Sequence, residues 1–188
     1  MTFKKLPKFF LFLLIAAVCA AAIRAVYLKA VDYLYPTKYS EFINMYSDEY
    51  GVDRALIYAV INCESSFESD AVSHAGAIGL MQITPDTFAW LQTKTPEDEH
   101  LEPEALYDPQ TAIKYGTLLL SLHLDEFGGV SPALAAYHAG RGSVNSWLED
   151  SSYSSDGETL SFIPFDDTRK YVERVERNVE IYRRLYGL

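Results

Sequence analysis

The sequence predicts an all-α domain carried behind an apolar N-terminal helix. Three observations predict it. Apolar residues recur at spacings of three and four along most of the chain, the period of one helix face. Helix-start signals (Asp53, Thr84-Pro85, Asp108-Pro109, Ser131-Pro132) are answered by glycine stops (Gly51, Gly128-Gly129, Gly140). No stretch alternates apolar and polar residues with period two, so strands are few or absent. Among 188 residues, 49% are hydrophobic, with only 10 Gly and 8 Pro. That excludes disordered and collagen-like chains and suits one domain of ordinary size with a short appendage. No repeat of 20–50 residues is present.

The appendage comes first. Lys4, Lys5 and Lys8 precede an uncharged run from Phe9 to Ile23, which reaches Leu28 if Arg24 snorkels. Two readings compete: a signal peptide cut near Ala20 to Ala22, or an uncleaved anchor with the lysines inside. The anchor is favoured, because Tyr27, Tyr33 and Tyr35 follow as an interfacial belt would. Val18 is too large for lipid modification of Cys19, and a buried helix of a cytosolic protein is the least favoured reading. Residues 1–35 are therefore a cytoplasmic flank, an anchor crossing the cytoplasmic membrane through residues 9–28, and a short linker. Residues 36–188 form the main domain, outside the membrane. An extended tether from Lys29 to Lys38 would reach only ~35 Å.

In the main domain a first helix runs from about Tyr39 to Tyr50, with Phe42, Ile43, Tyr46 and Tyr50 on one side. Asp53 caps a second, through Leu56, Ile57, Val60 and Ile61 to about Cys63. Ser65 to Gly79 reads as a loop. Thr84-Pro85 starts a third helix through Phe88 and Leu91, and Thr93 to Glu104 is acidic and irregular, with Glu97 to Glu104 a solvated loop or a border of a groove. Asp108-Pro109 starts a long helix to Phe127. Ser131-Pro132 starts a short one ending at Gly140, and another runs from Ser143 to Leu148. Glu149 to Ser161 is a polar loop. The last helix begins near Asp167 and carries Tyr171, Val175, Val179, Tyr182 and Leu185 at helical spacing.

Charge and cysteine usage narrow the function. Residues 1–35 hold five basic residues and one acid. The remainder thus carries 11 basic against 25 acidic groups, a net of −14. Phosphate would repel such a domain, which argues against a nucleic-acid partner. Cys19 lies inside the apolar run and cannot partner Cys63, so the main domain is held by its core alone. Cys63 sits on an apolar helix without a nucleophile signature, so an inert thiol outweighs a Cys–His mechanism with His74, His100, His123 or His138. The four histidines are scattered without H-E-x-x-H, so no zinc site is expected, and His123 reads as structural or surface.

Four segments stand out. Glu64-Ser65-Ser66-Phe67 ends an apolar helix, where burial would raise the Glu64 pKa and keep it protonated as a general acid. The plain alternative is a solvated helix-end Glu. In Gly76 to Pro85, small residues allow close backbone approach, Gln82 offers a donor and an acceptor to a neutral polar ligand, and Met81 an adaptable apolar surface. Without a ligand it is a packing turn. Ala135 to Gly140 holds Tyr137, His138 and Ala139; Ile163-Pro164-Phe165 and Thr168-Arg169 precede Tyr171. Taken singly, both tyrosines read as core aromatics.

As an ordered set, these segments resemble the catalytic domain of lytic transglycosylases of the soluble-lytic-transglycosylase (SLT) type, a branch of the lysozyme-like fold. The family pattern is E-S-x-F, G-L-M-Q, A-Y-N-A-G, then a Tyr after I-P-F and T-R. This chain has Glu64-Ser65-Ser66-Phe67, Gly79-Leu80-Met81-Gln82, Ala136-Tyr137-His138-Ala139-Gly140 and Tyr171. The likeness spans about Tyr39 to Leu185; His138 replaces the usual Asn, and both can donate a hydrogen bond. The resemblance implies a monomer acting on peptidoglycan glycan strands, at the β-1,4 bond from N-acetylmuramic acid to N-acetylglucosamine, without metal or organic cofactor. It implies Glu64 as sole acid/base, Tyr171 orienting it, and 1,6-anhydro products. It also implies Ser73 contacting the muramic sugar, Met81 and Gln82 lining the groove, and Tyr137, His138 and Ala139 on the opposite wall. Two alternatives stay open. A muramidase would use water, with Asp70 or Asp86 as second carboxylate, and a membrane-tethered glycan-binding scaffold would have no turnover.

Overall fold

The computed structural model describes residues 8–95 and 100–188. The basic-flank residues Lys4 and Lys5, and Glu97 to Glu99 of the acidic stretch, lie outside the described residues. The chain divides into two compact units, 1–37 and 38–188.

In the first unit, α1 runs Lys8–Leu34. It is longer than the apolar run that nucleates it, continuing through Arg24, Lys29 and Asp32. Nothing breaks it before Pro36, whose ring disfavours helical geometry at the residue ahead. The span from Lys29 expected as extended tether is thus helical to Leu34, leaving 35–39 outside helices. The 26-residue stretch Phe9–Leu34 is apolar and long enough to cross a membrane. At 1.5 Å per residue it measures ~39 Å against a hydrocarbon core of ~30 Å.

The second unit contains α2 (Ser40–Tyr50), α3 (Arg54–Ser65), α4 (Pro85–Gln92), α5 (Pro109–Phe127), α6 (Val130–Ala139), α7 (Arg141–Glu149) and α8 (Asp166–Tyr186), with a 3₁₀ turn over Pro103–Tyr107. Among the described residues there is no strand, only isolated bridges pairing Ile78 with Val72 and Ile83. The expected caps hold α3, α4 and α5 in register: Asp53, Thr84 and Asp108 side chains accept from Ala55, Thr87 and Thr111 amides. Two starts fall earlier than expected. α6 begins at Val130 behind Gly129, because Pro132 lies within the first turn, where a missing N–H costs nothing. α7 begins at Arg141, directly after Gly140 at φ 86°, and Ser143 Oγ instead donates to the Ala139 carbonyl (2.8 Å). The 3₁₀ turn, which starts at the end of the stretch read as irregular, buries Leu106 completely. Its carbonyl sits against Gly79 where a Cβ would be, and Gly79 has φ +76°, so this position demands glycine.

α3 is the core helix: every residue from Ala55 to Ile61 is buried. A helix apolar all round must be enclosed on all sides. α8 covers it along one flank and α2 along another, while α5 packs against α2, α4 and α6, and α6 against α8. Asp53 pairs with Arg183 at 2.6 Å, pinning the start of α3 to the end of α8. The packing therefore fixes the other end of α3, where Glu64 stands, beside the first turns of α8.

Candidate active site

Glu64 occupies the last turn of α3. Directly after this helix the backbone reverses through two left-handed residues, Ser66 (φ 52°) and Phe67 (φ 66°). Phe67 is a bulky residue in a conformation such residues avoid, and its ring is buried near Tyr58. The buried ring holds the turn, and Ser65 Oγ, donating to the Leu80 carbonyl (2.8 Å), ties the helix end to the loop carrying Met81 and Gln82. The carboxyl of Glu64 is left in a largely enclosed recess. Burial raises its pKa from the ordinary 4.5 to about 7, against the opposing pull of the Tyr171 hydroxyl and the Arg174 guanidinium.

Tyr171 is brought in by α8 and is 3% exposed. Its hydroxyl is enclosed without a partner at full hydrogen-bond geometry, yet lies close enough to act on the Glu64 carboxyl as a donor. Donor–acceptor pairs of this kind are often long in the ligand-free state and tighten around bound substrate. Arg174, one turn further along α8, packs over the Tyr171 ring at 5.9 Å and donates to the Cys63 carbonyl at 3.5 Å. The Cys63 thiol itself is pushed up by burial, which disfavours the thiolate a nucleophile needs.

Tyr137, on α6, donates its hydroxyl to the Met81 carbonyl at 2.7 Å, and burial raises its pKa well above the usual range. It joins α6 to the Met81 loop. His138 stacks on Tyr171, ring centroids 4.5 Å apart, with Nδ1 3.1 Å from Thr168 Oγ1.

The model of the transglycosylase SLT domain matches residues 41–159, more than half of the chain. The chain belongs to the SLT domain family. It is 32% identical over 155 residues to the soluble lytic murein transglycosylase of Salmonella typhimurium, covering 81% of this chain and 24% of that protein. It is also 32% identical over 174 residues to the membrane-bound lytic murein transglycosylase C of Cronobacter sakazakii, covering 78% of this chain and 47% of that one. Among solved structures, an inactive Glu-to-Gln mutant of the lytic transglycosylase Slt from Pseudomonas aeruginosa superposes with a TM-score of 0.69 at 33% identity, covering 82% of this chain and 25% of that one. The chain thus spans a quarter to a half of the length of these relatives. The all-α, lysozyme-like architecture expected from the resemblance is the one the SLT domain has.

Around Glu64, this SLT domain gathers Tyr171 and Tyr137 directly and Met81 and His138 through them. Met81 differs from the expectation that its side chain lines a groove. It is 0% exposed and fills the space left by Gly116 on α5, so its contribution outward is the carbonyl that Tyr137 holds. Gln82, at φ 49°, turns its amide into the loop, donating to the Ala71 (3.1 Å) and Gly79 (2.9 Å) carbonyls. Ser73 is exposed, and its Oγ accepts from the Ala77 amide at 3.0 Å, with its own proton still to give. Ala139 ends α6 with its carbonyl engaged by Ser143.

A pocket of about 250 Å³ opens beside Tyr137, lined by Thr87, Trp90, His123 and Arg141 among others. Trp90 is 40% exposed, and His123 is buried, with Nδ1 unpartnered. The sequence reading missed this wall, as well as Arg174. Arg174 stands three residues beyond Tyr171, on its helix face, as Thr168 stands three before it, and that spacing was the signal for Arg174. Trp90, which falls outside the four motif segments, carried none.

Proposed function

We propose that this SLT domain is a peptidoglycan lytic transglycosylase in which Glu64 is the single acid/base. The observation that carries the reading is a carboxyl held at about 7 by burial and faced by a buried phenol, at the place where the family pattern has its glutamate. At neutral pH and below, such a group is available as a proton donor, which an ordinary carboxylate is not.

The chemistry follows from one proton moving in and out. Glu64 donates its proton to the glycosidic oxygen as the bond to the muramic C1 breaks. The substrate N-acetyl oxygen closes on C1 and carries the charge. The Glu64 carboxylate, with the Tyr171 hydroxyl donating to it, takes the C6 hydroxyl proton. O6 then attacks C1, the N-acetyl oxygen leaves, and a 1,6-anhydro ring forms with Glu64 protonated again. Glycosidases that use water work with two carboxylates. A tethered hydroxyl replaces that water through its high effective concentration. Asp70 and Asp86, the acids a water mechanism would use, are both exposed, one in a turn and one in the first turn of α4.

The glycan would run past Glu64 between the Ser73–Gln82 loop and the end of α6. Ser73 and the Gln82 carbonyl oxygen would meet it on one side. Tyr137 and the backbone at Ala139 would meet it on the other, with the pocket beside Trp90 as its continuation. α1 would tether the domain to the outer face of the cytoplasmic membrane, a reading supported by its length and by the membrane-bound relative. The test is digestion of purified glycan strands by the full chain and by its Glu64→Gln variant. Loss of cleavage with retained glycan binding supports the enzyme; equal cleavage by both removes Glu64 from the chemistry. No cleavage by either leaves the scaffold reading.

A further inference from the structure

We propose that His138 is the positioning residue of this site, clamping the Tyr171 ring so that its hydroxyl stays aimed at Glu64. The inference rests on the transglycosylase reading for its kinetic consequence but not for its structural one.

The geometry has three parts. First, the imidazole lies on the phenol ring with centroids 4.5 Å apart and planes 29° from parallel, which fixes the ring's tilt. Second, Nδ1 reaches Thr168 Oγ1 at 3.1 Å. Thr168 is 1% exposed and lies one turn ahead of Tyr171 on α8, so the imidazole bridges the turn that carries the phenol. Whichever partner donates, the contact persists, since a threonine hydroxyl can give or accept. Third, Tyr171 needs such a clamp. Its hydroxyl has no partner at full hydrogen-bond geometry to fix it, and the function asked of it depends on a fraction of an ångström. An asparagine at this position could hold Thr168 but has no ring to lay on Tyr171, so the device belongs to this chain's histidine.

The groups around Glu64 are Tyr171 and Arg174 from α8, Tyr137 from α6, and its neighbour Cys63. His138 is faced by Asp167 and Arg174, which act on it in opposite directions, while burial lowers its pKa. Burial thus favours the uncharged imidazole, and its effect on Glu64 passes through the phenol.

The experiment uses the full chain in detergent, carboxyl-labelled with carbon-13 at glutamate, as wild type and as His138→Ala, His138→Phe and His138→Asn. In His138→Ala the Glu64 titration midpoint should rise by ~0.5 pH unit or more, because a loosened phenol no longer favours the carboxylate. On glycan strands kcat should fall about tenfold with KM within about twofold, the pattern of an interaction used in the reaction rather than in binding. His138→Phe, which keeps a flat ring, should restore most of both. An unchanged midpoint in a folded His138→Ala protein overturns the proposal, as does a change confined to KM. Rescue by Asn but not by Phe also overturns it, since the Thr168 contact alone would then suffice. If the wild type cleaves no glycan, the transglycosylase reading fails, while the titration arm still decides the role of His138.

Discussion

Replacing Glu64 by Gln should make this protein more stable above neutral pH and leave it nearly unchanged in acid. Burial holds the wild-type carboxyl at about 7 when folded, against an ordinary 4.5. Between those values the folded protein keeps a proton that the unfolded chain has released. Stability therefore falls as pH rises through the window. The contribution is fully present below about 4.5, where both states are protonated, and is lost once pH passes the folded value. A difference of about 2.5 pH units at about 1.4 kcal/mol each gives ~3 kcal/mol above pH 7.5. Gln has the same shape, is neutral throughout, and can accept from Tyr171, so the variant escapes the loss. For a chain of this size ~3 kcal/mol corresponds to roughly 6–12 °C in Tm. The assay is thermal unfolding followed by circular dichroism at pH 4 and pH 8. A gain of several degrees at pH 8 and almost none at pH 4 is expected. Equal changes at both, or a loss at pH 8, would refute the idea that Glu64 sits in a recess hostile to charge.

The same carboxyl should set the pH dependence of glycan cleavage: kcat/KM measured from pH 5 to 9 should fall on the basic side with a midpoint near 7, as the proton donor is lost. A profile still flat at pH 9 would point to another acid. Tyr171→Phe should raise the Glu64 midpoint further, seen by carbon-13 titration, and lower kcat by about 10–100-fold while leaving the fold intact. Gly116→Ala should cost ~1–3 kcal/mol in denaturant unfolding, because its Cβ would enter the space of the Met81 side chain. Activity should fall with it, since the Met81 carbonyl is what Tyr137 holds; a neutral effect would show the core there to be looser than drawn.

What the sequence made legible was whatever local chemistry decides. Asp53, Thr84 and Asp108 announce their helices by side chain, and Gly128 ends α5 at φ 66° as a stop signal should. Ser131 and Ser143 misled for a related reason. Glycines at 129 and 140 already start those helices, so the serines fall inside the first turn. The extension of α1 to Leu34 was hidden because charged Arg24, Lys29 and Asp32 end an apolar run without ending a helix.

The site was legible as a set of motifs and illegible as a set of contacts. Glu64 and Tyr171 are separated by more than a hundred residues, and only the packing of α3 on α8 makes them neighbours. Composition could suggest that Met81 faced a ligand, but Gly116, an unremarked residue inside α5, supplies the hole that takes it inward. Gln82 was read as free to bind; its left-handed backbone turns the amide onto two loop carbonyls.

The most direct test of the account is the mass of the products that the full chain releases from purified glycan strands. A carboxyl that returns its proton through an internal hydroxyl should leave every new muramic end as the anhydro sugar, one water lighter than a hydrolysed end. New ends of the heavier mass would mean that water, positioned by some second group, closes the reaction, and that one glutamate is not enough.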